Sequence, residues 1–313
     1  MPNIGVVLRS LKEQPGYTLM RGLGRFPSAR RVIAGTRTAL QSSQTDEFLR
    51  RLESRMSESL FPSLDRESFV ADLESKGLAF GLFLPSDTVK TILDYADSHP
   101  CYADRLPQNG FMAKDHREAE RRLGKAILLA QYFNTTRDCA VIGKLANDPA
   151  LQWIAARYLN SLPTFVGSNL WWTFVADASE EDRNKHAHLF HRDVDDFRFF
   201  KYFFYITSVD KDGAHVCVVG SHRRPPVTRH GDQWNIRRYS DEEVSQTYPA
   251  NEILEISGPA GTGFAENTLC IHKGSTPKTT PRLLLQLQYA LFDYGVMNDS
   301  SGGKELRMIE DKG

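Results

Sequence analysis

The stretch Lys201-Tyr202-Phe203-Phe204-Tyr205-Ile206-Thr207-Ser208, then Val209-Asp210-Lys211-Asp212-Gly213, then Ala214-His215-Val216-Cys217-Val218-Val219-Gly220-Ser221-His222-Arg223, decides how the second half of the chain is read. Aromatic and β-branched residues fill both flanks and suit a pleated surface, while the acidic turn ending in Gly213 separates them. Working outward, Asn169–Ala176, Glu252–Ser257, Thr262–Ala265 and Leu283–Asp293 have the same texture, divided by Gly, Pro, Asp or Ser. With Lys201–Ser208 and His215–Val219 they predict short antiparallel strands closed into a barrel or a jelly roll. Ahead of Pro163 the texture is helical. Spaced apolar residues predict helices over about 116 to 134 and from Pro149 to Asn160. Phe69 to Leu82 reads as a helix end running into a strand, and Leu84-Pro85-Ser86-Asp87 as the N-cap signal of the next helix. No internal repeat or low-complexity tract interrupts this order.

The chain has 313 residues, enough for a large core without disulfide or metal staples. Lys and Arg number 39, as do Asp and Glu, so the formal charge is zero. That balance, with no basic-aromatic platform, argues against a nucleic-acid partner. No apolar run reaches the length that spans a bilayer. Cys101, Cys139, Cys217 and Cys270 lack CxxC spacing, so a reducing compartment, the cytoplasm, is expected. The zero is uneven, however. The first 40 residues hold seven basic residues against Glu13 alone, a local +6. Prolines at 2, 15 and 27 and several glycines predict interruption of any long helix there. This arm has three readings: contact with an anionic membrane surface or a partner, an acid-poor targeting peptide, or a solvated extension over its own domain. The expected organisation is a basic arm with short helices over 1–66, a main domain over 67–297, and a polar tail over 298–313.

The chemistry is concentrated in two places. In His191-Arg192-Asp193 the imidazole and carboxylate are two residues apart, so on an extended backbone they share a face and can meet one metal ion. A His and an Asp so spaced are common by chance. The second place, Asn267-Thr268-Leu269-Cys270-Ile271-His272-Lys273-Gly274, supplies another imidazole, and ten residues past it Arg282 opens the strand Leu283–Tyr289. Two histidines and one carboxylate occupy one face of an octahedron and leave positions open, as a non-haem Fe(II) oxygenase requires. A guanidinium on the neighbouring strand suits the distal carboxylate of 2-oxoglutarate, which it can bind bidentately.

With these residues together, the chain resembles the phytanoyl-CoA dioxygenase (PhyH-like) family of Fe(II)/2-oxoglutarate oxygenases. The points of likeness are HxD, a strand, an acidic turn ending in Gly, an apolar strand ending in Gly220-Ser221-His222, and a late His followed ten residues on by Arg. They extend over roughly Phe69 to Asp293, and the helix-rich first half matches in texture only. The resemblance implies an α+β protein built on a double-stranded β-helix, a cupin-like jelly roll with flanking helices. It implies Fe(II) held by His191, Asp193 and His272, with 2-oxoglutarate and O2 as co-substrates and Arg282 on the distal carboxylate. The intact Asp193 favours hydroxylation or a related oxidation over halogenation. Many relatives carry an aspartate at Asn267 and some a hydroxyl residue at Gly274, so one co-substrate contact differs.

Further residues have two-sided readings. Tyr202 lies on a strand that contacts 2-oxoglutarate in relatives, or is a barrel-core tyrosine. Gln286 and Gln288 share strand parity with Arg282 and are expected to point inward. His186, His188 and His222 take surface or supporting roles, and Trp171, Trp172 and Phe174 read as packing. Residues 223–238 hold Arg223, Arg224, Arg229, Arg237 and Arg238 against Asp232, so they are either a solvated insertion or a barrel-mouth segment selecting a phosphorylated or carboxylated small molecule. Two rival functions are a non-catalytic jelly roll that binds a ligand, and a cupin-type metalloenzyme that does not use 2-oxoglutarate.

Overall fold

A computed structural model describes residues 10, 12–175, 188–224, 236–296 and 299–310. Its strands are β1 (Leu78–Phe83), β2 (Cys101–Ala103), β3 (Gly110–Phe111), β4 (Leu129–Tyr132), β5 (Thr164–Thr173), β6 (Phe199–Tyr205), β7 (His215–Val218), β8 (Ile253–Ile256), β9 (Thr262–Glu266), β10 (His272–Gly274) and β11 (Arg282–Ala290). The helices are α1 (Pro15–Leu23), α2 (Pro27–Glu53), α3 (Arg66–Lys76), α4 (Ser86–Ser98), α5 (His116–Leu123), α6 (Thr135–Asp138), α7 (Ala140–Ala146), α8 (Pro149–Leu159) and α9 (Asp241–Thr247).

The aromatic run of β6 makes it a central strand, paired on one side with β11 and on the other with β9. The large sheet has the order β1-β9-β6-β11-β5-β4-β2-β3, and a second sheet the order β10-β7-β8, with every named pairing antiparallel. Side-chain alternation gives the large sheet two different faces. On one, Tyr202 donates to the Leu151 carbonyl of α8 at 2.8 Å, Tyr289 donates to the Ala146 carbonyl at 2.5 Å, and Phe200 packs edge-on against Tyr158. On the other, Phe203, Tyr205, Phe264 and Leu284 form one apolar cluster with Cys217 and Ile256 of the small sheet. The Tyr205 hydroxyl ties the sheets together, donating to the Ile256 carbonyl at 2.5 Å and accepting from the His215 N–H at 3.0 Å. Two facing antiparallel sheets with helices packed outside are the double-stranded β-helix, or jelly roll, that the strand pattern predicts.

Two sequence expectations are corrected. The prolines and glycines near the N-terminus do not prevent a long helix, since α2 runs for 27 residues. Pro27 stands in its first turn, where a missing N–H costs nothing, and Gly35 inside it costs about 1 kcal/mol relative to alanine. Packing offsets this: Met20 of α1 and Leu52 of α2 belong to the same core as Phe69 and Leu285, and Arg37 lies 4.5 Å from the centre of the Phe292 ring. The helix expected over 116 to 134 ends early. Gly124 takes a left-handed φ of 68° and turns its N–H back to Glu120 and Arg121, after which Leu129–Tyr132 runs as β4.

α3 ends in the same way at Gly77, with φ 72°, and here the turn also positions the second sheet. The Gly77 carbonyl accepts from Asn267, and a Cβ at this position would come within 2.4 Å of the Cys270 sulfur, two residues before His272. Gly77→Ala should therefore combine left-handed strain with overpacking and cost about 2–4 kcal/mol in denaturant unfolding. A loss under about 0.5 kcal/mol would show that the turn relaxes freely.

Candidate metal centre and its cavity

Backbone pairing brings the three candidate ligands selected from the sequence together. His191 donates its N–H to the His272 carbonyl at 2.9 Å and accepts from the His272 N–H at 2.8 Å, so these two distant residues face each other as an antiparallel pair. Asp193 is fixed by its own N–H, which donates to the Thr268 carbonyl at 2.7 Å. The two rings lie 4.3 Å apart, centre to centre. His191 Nε2 is 3.6 Å from Asp193 Oδ1 and His272 Nε2 is 3.7 Å from Asp193 Oδ2; ligand atoms of all three lie within 4.8 Å of one another. Each ring is oriented from behind at 2.9 Å, Nδ1 of His191 by the Leu189 carbonyl and Nδ1 of His272 by the Cys270 carbonyl. With Nδ1 donating, both Nε2 lone pairs are free to bind a metal. Burial, with the neighbouring His272, holds the His191 pKa well below its ordinary value, so the ring is neutral as a ligand must be. Burial works against ionisation of Asp193, but the Lys201 ammonium outweighs it and holds the carboxyl well below the usual range.

Behind the ligands lies a set of buried charges. Lys201 of β6 reaches Asp193 Oδ2 at 2.7 Å and Asp195 Oδ2 at 2.8 Å. Burial disfavours its charge, yet the two carboxylates raise its pKa above the ordinary lysine value. Next to it on β9, Glu266 meets His215 Nε2 at 2.6 Å. Burial pushes Glu266 up to about 8, while burial and the charge of Arg282 push His215 down to about 3. The pair is thus a neutral acid donating to a neutral imidazole.

The ligands open into a cavity of about 680 Å³. Arg282 is in its wall, buried, with Nη1 donating to the Gly213 carbonyl and Nη2 to Thr173 Oγ1 at 3.4 Å. Its Nε has no hydrogen-bond partner among the described residues. Gly274 leaves room beside it, for a Cβ there would come 3.0 Å from Nη2. Gln286 lines the same wall, as its parity predicts; Gln288 is buried but is not part of the wall. Asn267 forms a turn by accepting from the Leu269 N–H at 3.1 Å.

Other expectations are revised. Tyr202 is not in the cavity: it points to the helix side of β6 and bonds the Leu151 carbonyl. By strand parity its neighbours Lys201 and Phe203 occupy the cavity face instead. Trp171 lines the cavity, whereas Trp172 and Phe174 pack. His188 is in the wall, 2.7 Å from Thr276 Oγ1, and His222 lies against the Cys270 sulfur at 3.3 Å. His186 and Arg229 lie outside the described residues. Arg224 pairs with Glu252; Arg237 and Arg238 line the cavity, Arg237 also clamped by Glu243 at 2.9 and 3.1 Å. Sequence reasoning missed Lys201 and Glu266. The signal for Lys201 was present, because a lone charge inside Phe199-Phe200-Lys201-Tyr202-Phe203-Phe204-Tyr205 must find a buried partner.

No family model and no curated protein matches the chain. Solved structures do match. HygX from Streptomyces hygroscopicus with nickel and 2-oxoglutarate bound aligns with a TM-score of 0.51 at 14% identity, over 80% of this chain and 97% of HygX. HygX with nickel, 2-oxoglutarate and hygromycin B bound gives a TM-score of 0.51 at 15% identity, over 79% and 97%. The non-heme alpha ketoglutarate dependent epimerase SnoN from nogalamycin biosynthesis aligns at 0.48 and 14%, over 78% and 93%. At these identities the likeness to HygX is one of fold.

Lys201→Met would leave two buried carboxylates unpaired, an expected loss of about 3–5 kcal/mol in metal-free protein. Added Co(II) returns positive charge to Asp193, so it should raise the melting temperature of the variant more than that of the wild type; an equal rise would refute the shared-carboxylate account. A glutamate titrates near 4.5 when unfolded, but Glu266 does so at about 8 in the fold. Its contribution is full below the unfolded value and is lost as pH rises through about 8. In metal-free Glu266→Gln, which mimics the protonated acid, the fall in melting temperature between about pH 5 and 8 should be smaller than in the wild type. Parallel curves would show that Glu266 is already ionised.

Proposed function

We propose that this chain is a PhyH-like, Fe(II)/2-oxoglutarate-dependent dioxygenase that hydroxylates a C–H bond of a small, anionic molecule, with release of succinate and CO2. One observation carries the reading: the Nε2 atoms of two histidines converge with the Asp193 carboxylate in a cavity whose wall also contains a buried arginine with an N–H that has no partner among the described residues. The fold shared with HygX supports it, HygX being a protein crystallised with nickel and 2-oxoglutarate.

The residues present fit the groups implied. His191, Asp193 and His272 would hold the metal through two nitrogens and one oxygen, a donor set suited to ferrous iron with open positions. Lys201 occupies Asp193 Oδ2 and leaves Oδ1, which faces His191, for a single metal bond. Arg282, with Thr173 beside it, would take the distal carboxylate, using the Nε that lacks a partner and the space that Gly274 leaves. Iron and 2-oxoglutarate, when bound, supply a strong oxidant from O2 as 2-oxoglutarate is decarboxylated to succinate. The protein positions the substrate and shields the site: Trp171, Phe203 and Leu284 give it apolar walls, and Gln131, Asn169 and Gln286 give it polar groups for orientation. The four cysteines are buried and free, which fits a reducing compartment such as the cytoplasm.

One observation favours the non-catalytic rival, since the Lys201 ammonium already neutralises Asp193. Succinate formed from 2-oxoglutarate under air, with Fe(II) and ascorbate, separates the readings. Wild type should turn over, His191→Ala should fall to background, and Arg282→Ala should need about 10- to 100-fold more 2-oxoglutarate. Metal binding without 2-oxoglutarate affinity would overturn the proposal in favour of a cupin-type metalloenzyme, and failure to bind any divalent metal in favour of the non-catalytic jelly roll.

A further inference from the structure

The cavity wall contains positive charge that the proposed metal and co-substrate do not use. Lys201 is paired with Asp193 and Asp195, and Arg237 with Glu243, whereas Arg21 and Arg105 form no ion pair among the described residues. A divalent metal and a 2-oxoglutarate dianion cancel each other, so these two charges persist when both are bound. Like charges gathered at a partly desolvated site repel unless an anion joins them.

Two of these cations are held in place by identifiable structural constraints. Asp104 and Arg105 are consecutive non-glycine residues with left-handed φ values of 56° and 62°, a conformation that side chains disfavour. The surrounding turn enforces it. The Asp104 N–H donates to the Leu129 carbonyl of β4 at 2.9 Å, the Ala103 N–H donates to the Asn109 carbonyl at 3.0 Å, and the Asp104 carboxylate pairs with Lys125. As a result the exposed Arg105 stands at the cavity wall; its backbone N–H donates to the Tyr102 carbonyl at 3.3 Å, while its side chain makes no hydrogen bond or ion pair with any described residue. Arg21 arrives from α1. The end of that helix fits closely on the segment following Asp193, since a Cβ on Gly24 would come 2.9 Å from Val194 Cγ1. This contact keeps Tyr17 and Arg21 in the cavity wall, where the Arg21 guanidinium lies 5.8 Å from the centre of the Tyr17 ring.

We propose that Arg105 and Arg21 form a second anion site in this cavity, separate from Arg282, that receives a phosphate or carboxylate group of the substrate. Assigning that anion to the substrate rests on the oxygenase reading; the anion site itself does not. Strain at Arg105 and the helix contact at Gly24 then have a common role, which is to present two guanidinium groups to an oxyanion.

Calorimetric titration of the full-length, metal-free protein with inorganic pyrophosphate and with citrate tests this. Wild type should bind at least one of them, pyrophosphate more tightly if the group is a phosphate and citrate if it is a carboxylate. Arg105→Gly, which relieves the left-handed strain, should weaken binding tenfold or more with a melting temperature no lower than wild type. Arg21→Gln should weaken it similarly, and Arg105→Lys should restore part of the loss. Arg282→Ala, at the proposed 2-oxoglutarate carboxylate site, should weaken pyrophosphate binding far less than Arg105→Gly does. Unchanged affinity in both Arg105→Gly and Arg21→Gln, loss of binding in Arg282→Ala, or no binding of either probe to wild type would overturn the proposal. Wild type that binds pyrophosphate through Arg105 but has no affinity for 2-oxoglutarate would keep the anion site and defeat the oxygenase reading instead.

Discussion

The pair of backbone hydrogen bonds between His191 and His272 is the contact on which the candidate site depends. Directly opposed residues in an antiparallel pair project side chains to the same face, so residues far apart in sequence present their imidazoles 4.3 Å apart. Each ring is then oriented by a carbonyl of its own chain two residues earlier, Leu189 in one case and Cys270 in the other. A candidate metal site built this way needs little from side-chain packing. It needs both strands in register, and register is a property of the whole jelly roll: β10 pairs with β7, which the Tyr205 hydroxyl ties to the large sheet.

That interior contains an unusual load of ionisable groups for a face otherwise made of Phe203, Phe264, Leu284 and Trp171. The structure manages them in two ways. Asp193 and Lys201 remain charged because each has an opposite charge within 3 Å, which offsets a desolvation cost of several kcal/mol per ion; on Asp195, 2.8 Å from the same ammonium, burial outweighs the pairing and raises the pKa. Glu266 and His215 have no such surplus of partners and become neutral, acid to base. The two solutions sit side by side, Lys201 being the cross-strand neighbour of Glu266 on β9. A metal bound at the three ligands would add positive charge to a site where Lys201 already supplies some, and Lys201 has Asp195 as a second partner with which to share it.

Much of this was legible in the sequence, and the failures have physical causes. Period-two alternation gave the main strands, and parity correctly placed Gln286 on the face of Arg282. On β6, resemblance points to Tyr202, yet parity allows only one of two adjacent residues to face the cavity, and Lys201 occupies that place with Phe203. The helix expected over 116 to 134 failed because Ile127 and Leu128 fit a helical period as well as a buried strand, and Gly124 settled the matter in a left-handed turn. At the N-terminus, local propensity was overruled by tertiary packing. α2 has no marked apolar face of its own, but Met20 and Leu52 have a core to enter. Neither the Glu266–His215 pair nor the strained turn at Asp104 and Arg105 has a local sequence signature, since both arise from segments that meet only in the folded chain.

The neutral total charge takes on a different meaning in the folded chain. Net charge counts all residues equally, whereas a cavity of about 680 Å³ senses mainly those in its wall. The basic segment that opens the sequence contributes Arg21 to that wall through α1, and a turn between β2 and β3 contributes Arg105. Neither belongs to the strands that bear the proposed metal and co-substrate ligands. The jelly roll thus fixes the positions of His191, Asp193, His272 and Arg282, while elements packed around it set the charge at the rest of the cavity. Because those elements lie outside the paired strands and one of them abuts the segment after Asp193 at Val194, the charge a ligand meets can vary without altering the register that holds the two histidines together.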